Sequence, residues 1–119
     1  MASIFQVNEA DVPWAAYRDG APVPGDAGDV DDAIRFKALS LQGTDVPSLQ
    51  FIDYPPNYAD PVHSHEVGEW FIVTSGEMRM GDAGEPVCGV GSAVFIPKNT
   101  PYAVHAVADG VRYFRVVVS

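Results

Sequence analysis

The side chains with the clearest chemical meaning lie in the stretch His63-Ser-His65-Glu-Val-Gly-Glu69. Side chains two apart on a β-strand share a face, so His63 and His65 point the same way. Glu69 has the same parity and opens the apolar run from Trp70 to Thr74, and a short bend at Gly68 would carry its carboxylate to the same point. Two imidazoles and one carboxylate on one side of a divalent ion form the facial triad of non-haem Fe(II) oxygenases, which leaves positions for oxygen and substrate. The spacing predicts one divalent metal ion on His63, His65 and Glu69, with Fe(II) favoured and Zn, Mn or Ni also suited.

The elements that must position these residues are strands. From Ile34 onward, short apolar or alternating runs rich in Val, Ile, Phe and Tyr are separated by turn residues. The runs are Ile34 to Leu41, Ser48 to Tyr54, Val62 to Ser64, Glu69 to Thr74, Glu77 to Met80, Ala93 to Ile96, Tyr102 to Val107 and Val111 to Val118. Between them TSGE, MGDAGEP, IPKNTP and ADG carry the Gly, Asn, Asp and Pro residues of chain reversals. Asp11 to Asp19 offers one helical turn, with Asp11 as cap and Pro13 near its start. Many short strands without helical crossovers predict an all-β sandwich or barrel.

With the candidate ligands in place, the sequence resembles the cupin superfamily. Its first motif is a Gly, five residues, His-x-His, three or four residues, Glu, six residues and Gly, and here it reads Asn57-YADPV-His63-Ser-His65-EVG-Glu69-WFIVTS-Gly76. The second reads Gly91-SAVFI-Pro97-Lys-Asn99-TP-Tyr102-AVH-Ala106. Asn57 and Asn99 stand where the family has Gly, and Asn is the next residue most at ease with positive φ. Tyr102 stands where most metal cupins have their fourth ligand, a His. His105 has the opposite parity and would reach the metal only through a bulge.

The resemblance implies one cupin-type jelly-roll β-barrel over residues 34–119, preceded by a segment, 1–33, that packs on the barrel or on a partner. Three arrangements of the site stay open. His63, His65 and Glu69 hold the metal with the Tyr102 hydroxyl beside it as hydrogen-bond donor or acid; Tyr102 or a bulged-in His105 is a fourth ligand; or the polar cluster keeps only water or a small ligand. The leading expectation is a dioxygenase acting on a small organic molecule, with Tyr102 as the catalytic residue that positions or protonates an intermediate. A non-redox lyase, isomerase or cyclase comes second, and a non-catalytic binding or sensor domain third.

Composition narrows the partners. At 119 residues the chain has room for one core. Its net charge of −9 argues against nucleic acid, whose binders need clustered Lys and Arg. No apolar run approaches a membrane span, and Met1 to Ala10 has no basic start, so no membrane partner and a cytoplasmic location are expected. A single cysteine, Cys88, agrees with that and is expected to be a small packed side chain. The acidic Asp26, Asp29, Asp31 and Asp32 belong to a solvated Gly/Pro loop. Met78 and Met80 are expected inside the barrel with Arg79 outside, and Trp70 is expected to point away from Glu69. Arg112 and Arg115 have opposite parity, so at most one faces the cavity, and a surface position is expected. A homodimer is expected, because cupins commonly pair and the apolar Ile4 to Val7 segment suits strand exchange.

Overall fold

The computed structural model describes residues 6–18, 21–22, 33–40, 48–80 and 86–118. Ile4, Phe5, the four acidic residues between Asp26 and Asp32, and most of the MGDAGEP turn lie outside the described residues. Strands are β1 (Ala15–Arg18), β2 (Ala21–Pro22), β3 (Ile34–Ala38), β4 (Ser48–Tyr54), β5 (Glu69–Met80), β6 (Val87–Cys88), β7 (Ala93–Ile96) and β8 (Val104–Val117). They form one antiparallel sheet in the order β2-β1-β3-β4-β8-β5-β6, with β7 also paired to β5. This all-β, antiparallel architecture is the one expected, and it fits a jelly roll.

Alternation builds the interior. Along β5, Glu69, Phe71 and Val73 are buried while Trp70, Ile72 and Thr74 are exposed. Further on, Met78 and Met80 are buried and Arg79 is exposed, as their parity predicts. Opposite them, Val111, Tyr113 and Val117 of β8 turn inward, and Ile52 and Tyr54 of β4 join the same core with Cys88 and Ile96.

Two expected reversals are not reversals. TSGE lies inside β5 and ADG inside β8, so four expected runs merge into two long strands. The reason is the crossing of two glycines. Gly76 pairs with Val111, register shifts flank it, and both Gly76 and Gly110 have positive φ. A Cβ on Gly76 would lie 2.1 Å from the Gly110 carbonyl oxygen, and one on Gly110 would lie 2.7 Å from that of Tyr54. The glycines therefore admit bulges that bend paired strands, where the sequence alone suggests hairpin ends.

The amino-terminal segment also departs from expectation. A single 3-10 turn at Glu9–Asp11 replaces the helix, capped by Asn8, whose side-chain oxygen accepts from the Ala10 N–H at 2.9 Å. After Pro13 the chain extends into β1, which pairs with β3 and satisfies its backbone groups there. Trp14 stacks on Phe51 at 5.5 Å, and the buried Lys37 ammonium donates to the Glu9 carbonyl and carboxylate, each at 2.7 Å. This stretch thus lies on the barrel of its own chain. Among the described residues no helix is long and apolar enough to cross a membrane.

Replacing Gly76 by Ala should destabilise the fold by at least about 2 kcal/mol, from left-handed strain and backbone overlap together. Gly89→Ala, whose Cβ would meet nothing within 4 Å, should stay within about 0.5 kcal/mol of the parent. Urea unfolding of both variants checks the pair, and equal stabilities would contradict the crossing.

Candidate active site

Glu69 is the first residue of β5 and is flanked by Ile96 of β7 and Val117 of β8. Its side chain faces the interior and is 0% exposed. Tyr102 is brought to it by an isolated bridge with His63, whose N–H donates to the Tyr102 carbonyl at 2.9 Å and whose carbonyl accepts from the Tyr102 N–H at 2.8 Å. The turn before Tyr102 is tied to the histidine segment as well, through Asn99 N–H donating to the His65 carbonyl at 2.7 Å. Asn57 and Asn99 have φ of 60° and 62°, the conformation for which Asn substitutes for Gly.

The Tyr102 ring enters the barrel, as its parity predicts, and its hydroxyl donates to Glu69 Oε1 at 2.7 Å. Arg115 Nε donates to Glu69 Oε2, and Arg115 Nη1 donates to Gln50 Oε1 at 3.1 Å. Around the phenol stand His63, with ring centroids 4.5 Å apart, and His65, at 6.0 Å; the imidazoles are 5.0 Å from each other. The His63 Nδ1 lies 2.8 Å from the Pro61 carbonyl oxygen. A carbonyl only accepts, so Nδ1 carries the hydrogen and Nε2 keeps the lone pair in the neutral ring.

This environment pushes two titratable groups apart. Burial raises the Tyr102 phenol far above its usual value, and the hydrogen bond and charge of Glu69 raise it further. Burial lowers His65, the nearby Arg115 and His63 charges act in the same direction, and Glu69 opposes them. A neutral phenol therefore faces a neutral imidazole near pH 7.

The expected metal ligands are near one another but differently engaged. Among the described residues no three His, Cys, Asp or Glu side chains converge as ligands. At Glu69 one oxygen accepts from a phenol and the other is paired with a guanidinium. A divalent ion drawn to His63 and His65 would meet a carboxylate already neutralised, so the donors as arranged do not fit the three-ligand set. His105 pairs with the exposed Arg79 on the outer face of the sheet and does not join the site.

Arg115 is the correction to the expected surface position. It lies opposite Phe71 and Gln50 with its side chain only 18% exposed. It shares its parity with the inward Val111, Tyr113 and Val117, but Phe114 and Val116 make the opposite face apolar as well, so parity alone did not mark which face was inner. Arg112, on the other face, pairs with Asp53 at 3.1 Å. Beside the polar cluster lies a pocket of about 260 Å³ whose wall includes Met80, Val94, Ile96 and Pro101, with Tyr102 shared between the two. Deeper in the core, the Tyr54 hydroxyl donates to Asp60 at 2.6 Å, a pair that sequence reasoning did not single out.

Known proteins place this geometry in context. The family described as Cupin domain matches residues 50–118. A polyketide cyclase from Streptomyces resistomycificus is 26% identical with a TM-score of 0.71, over 98% of this chain and 79% of that one. An RmlC-like cupin from Ralstonia eutropha is 16% identical with a TM-score of 0.76, over 98% and 69%. A variant oxalate decarboxylase from Bacillus subtilis is 15% identical with a TM-score of 0.64, over 76% of this chain and 26% of that one. No curated protein sequence matches the chain.

Arg115→Leu should strand a buried carboxylate and lower stability by about 3–5 kcal/mol, most of which Arg115→Leu with Glu69→Leu should restore. Chemical denaturation of the single and double variants measures this. A single-variant loss below about 1 kcal/mol would show that the pair does not compensate the buried charge.

Proposed function

The chain belongs to the cupin domain family, and on that premise we propose that it is an enzyme of small organic molecules working by proton transfer. The reaction is of the cyclase, lyase or isomerase kind. The observation that carries this reading is geometric: the Tyr102 hydroxyl is held on Glu69 at 2.7 Å with the His65 ring 6.0 Å from the phenol ring, and the directions in which burial displaces the two acidities agree with it. Such a pair gives an acid and a base their separate assignments. The likeness to a polyketide cyclase, which extends over 98% of the chain, supports the same class of chemistry.

In this reading an enolisable carbonyl compound lies in the apolar pocket with its oxygen toward Tyr102. His65 takes a proton from the carbon next to the carbonyl. The Tyr102 hydroxyl, held by Glu69 in the resting state, turns its hydrogen bond toward the oxygen on which negative charge develops. Arg115 supplies fixed positive charge behind the carboxylate. The dioxygenase expected from the spacing needs Glu69 as a ligand, whereas proton transfer uses the carboxylate as it is found.

A homodimer remains part of the proposal. Trp70 and Phe95 form an exposed cross-strand pair with ring centroids 5.2 Å apart, next to exposed Ile72, and such an apolar row suits a second copy. Light scattering should give twice the chain mass for the parent and the chain mass for Trp70→Glu. A monomeric parent would remove this part.

Proton exchange of an aryl β-diketone in heavy water, followed by NMR, tests the chemistry. Exchange should exceed the buffer rate and fall by about 100-fold in Tyr102→Phe and in His65→Ala. Because His65 is lowered, its basic form persists below the ordinary imidazole value of about 6.5, so the acid limb of the rate profile should lie below that pH. Exchange at the buffer rate, or unchanged exchange in both variants, would sink the reading.

A further inference from the structure

We infer that Arg115 takes the place of a metal ion: its guanidinium is the resident cation of the site, so that the chain holds no divalent ion tightly although it keeps the spacing of His63, His65 and Glu69. This goes beyond the proton-transfer reading and does not require it.

Charge is the first ground. Glu69 has no exposure, and a carboxylate in that position needs a positive partner and hydrogen bonds to both oxygens. Arg115 Nε and the Tyr102 hydroxyl supply these. A divalent ion entering beside the guanidinium would place three positive charges against one carboxylate, in a place where water screens little. The guanidinium cannot relieve that repulsion by losing a proton, because Arg stays charged throughout the accessible pH range.

The second ground is that Arg115 is built in. Its strand is paired on one side with β4 at Gln50 and on the other with β5 at Phe71, so its Cα is fixed between two neighbours. Gln50 Oε1 accepts from Nη1 at 3.1 Å and aims the guanidinium at Glu69 from behind. A surface arginine resting on a carboxylate would have neither constraint.

The third ground is Tyr102. The residue held opposite His63 by the bridge offers no imidazole and gives its hydroxyl hydrogen to Oε1. Both departures from a metal-binding set, a phenol for an imidazole and an arginine in the interior, thus act on the same carboxylate. One removes a ligand and the other supplies the ion's charge.

Titration with Co(II), followed by visible absorption and by metal retained after desalting, tests this on the intact chain. The parent should retain substoichiometric cobalt, whereas Arg115→Gln with Tyr102→His, shown folded by circular dichroism, should bind about 100-fold tighter and retain one ion per chain. One-to-one binding by the parent that Glu69→Gln abolishes would overturn the inference. A folded double variant that binds no better than the parent would overturn it too. Should the double variant not fold, the parent and Glu69→Gln titrations decide by themselves.

Discussion

A carboxylate without solvent contact governs this molecule. Glu69 can remain in the barrel only if its charge is matched and both its oxygens accept hydrogen bonds. The groups that meet this requirement come from distant parts of the chain. Tyr102 precedes β8, Arg115 lies near the end of β8, and Gln50 of β4 orients the arginine. The polar centre is therefore also a tertiary crosslink, and the side chains offered for chemistry are those that make the interior tolerable.

Convergence of these groups depends on the bend in the long strands. Tyr102 and Arg115 are thirteen residues apart, which in straight extended chain is about 40 Å. Both nevertheless hydrogen-bond to one carboxylate. Strand β8 must curve strongly between them, and Gly110 with its positive φ lies in that interval. Gly76 on β5 faces the same bend, and the register shifts beside it take up the unequal path lengths of two paired strands. The glycine crossing thus serves the site from a distance, by folding one strand back over its own start.

The outer face shows a second charge arrangement, covered in part by the amino-terminal segment. Trp14 lies under Arg35, Lys37 and Arg112 at 5.1, 4.6 and 5.4 Å, and Asp53 accepts from Arg35 and Arg112. Here the cations serve packing, since their stems and charges cover an aromatic ring and attach the amino-terminal segment to β3, β4 and β8. The same residue type has two uses on β8. The half-exposed Arg112 faces outward to a shared aspartate that the amino-terminal segment helps to cover, and Arg115 faces inward to a glutamate without exposure.

Local preferences were legible in the sequence. Inward Met78 and Met80, outward Trp70, the inward ring of Tyr102, and the positive φ of Asn57 and Asn99 each follow from strand parity or from what one residue's backbone permits. What the sequence left open was every question whose answer lies across the sheet. Both faces of β8 carry large apolar residues, Tyr113 and Val117 on one and Phe114 and Val116 on the other, so alternation alone did not say which face of Arg115 was the inner one. Gly76 and Gly110 permit either a reversal or a bulge, and only their mutual contact selects the bulge. The spacing of His63, His65 and Glu69 determined that they would be neighbours. That the carboxylate is paired with an arginine was decided by a side chain 46 residues further along, brought there by the curvature of the barrel.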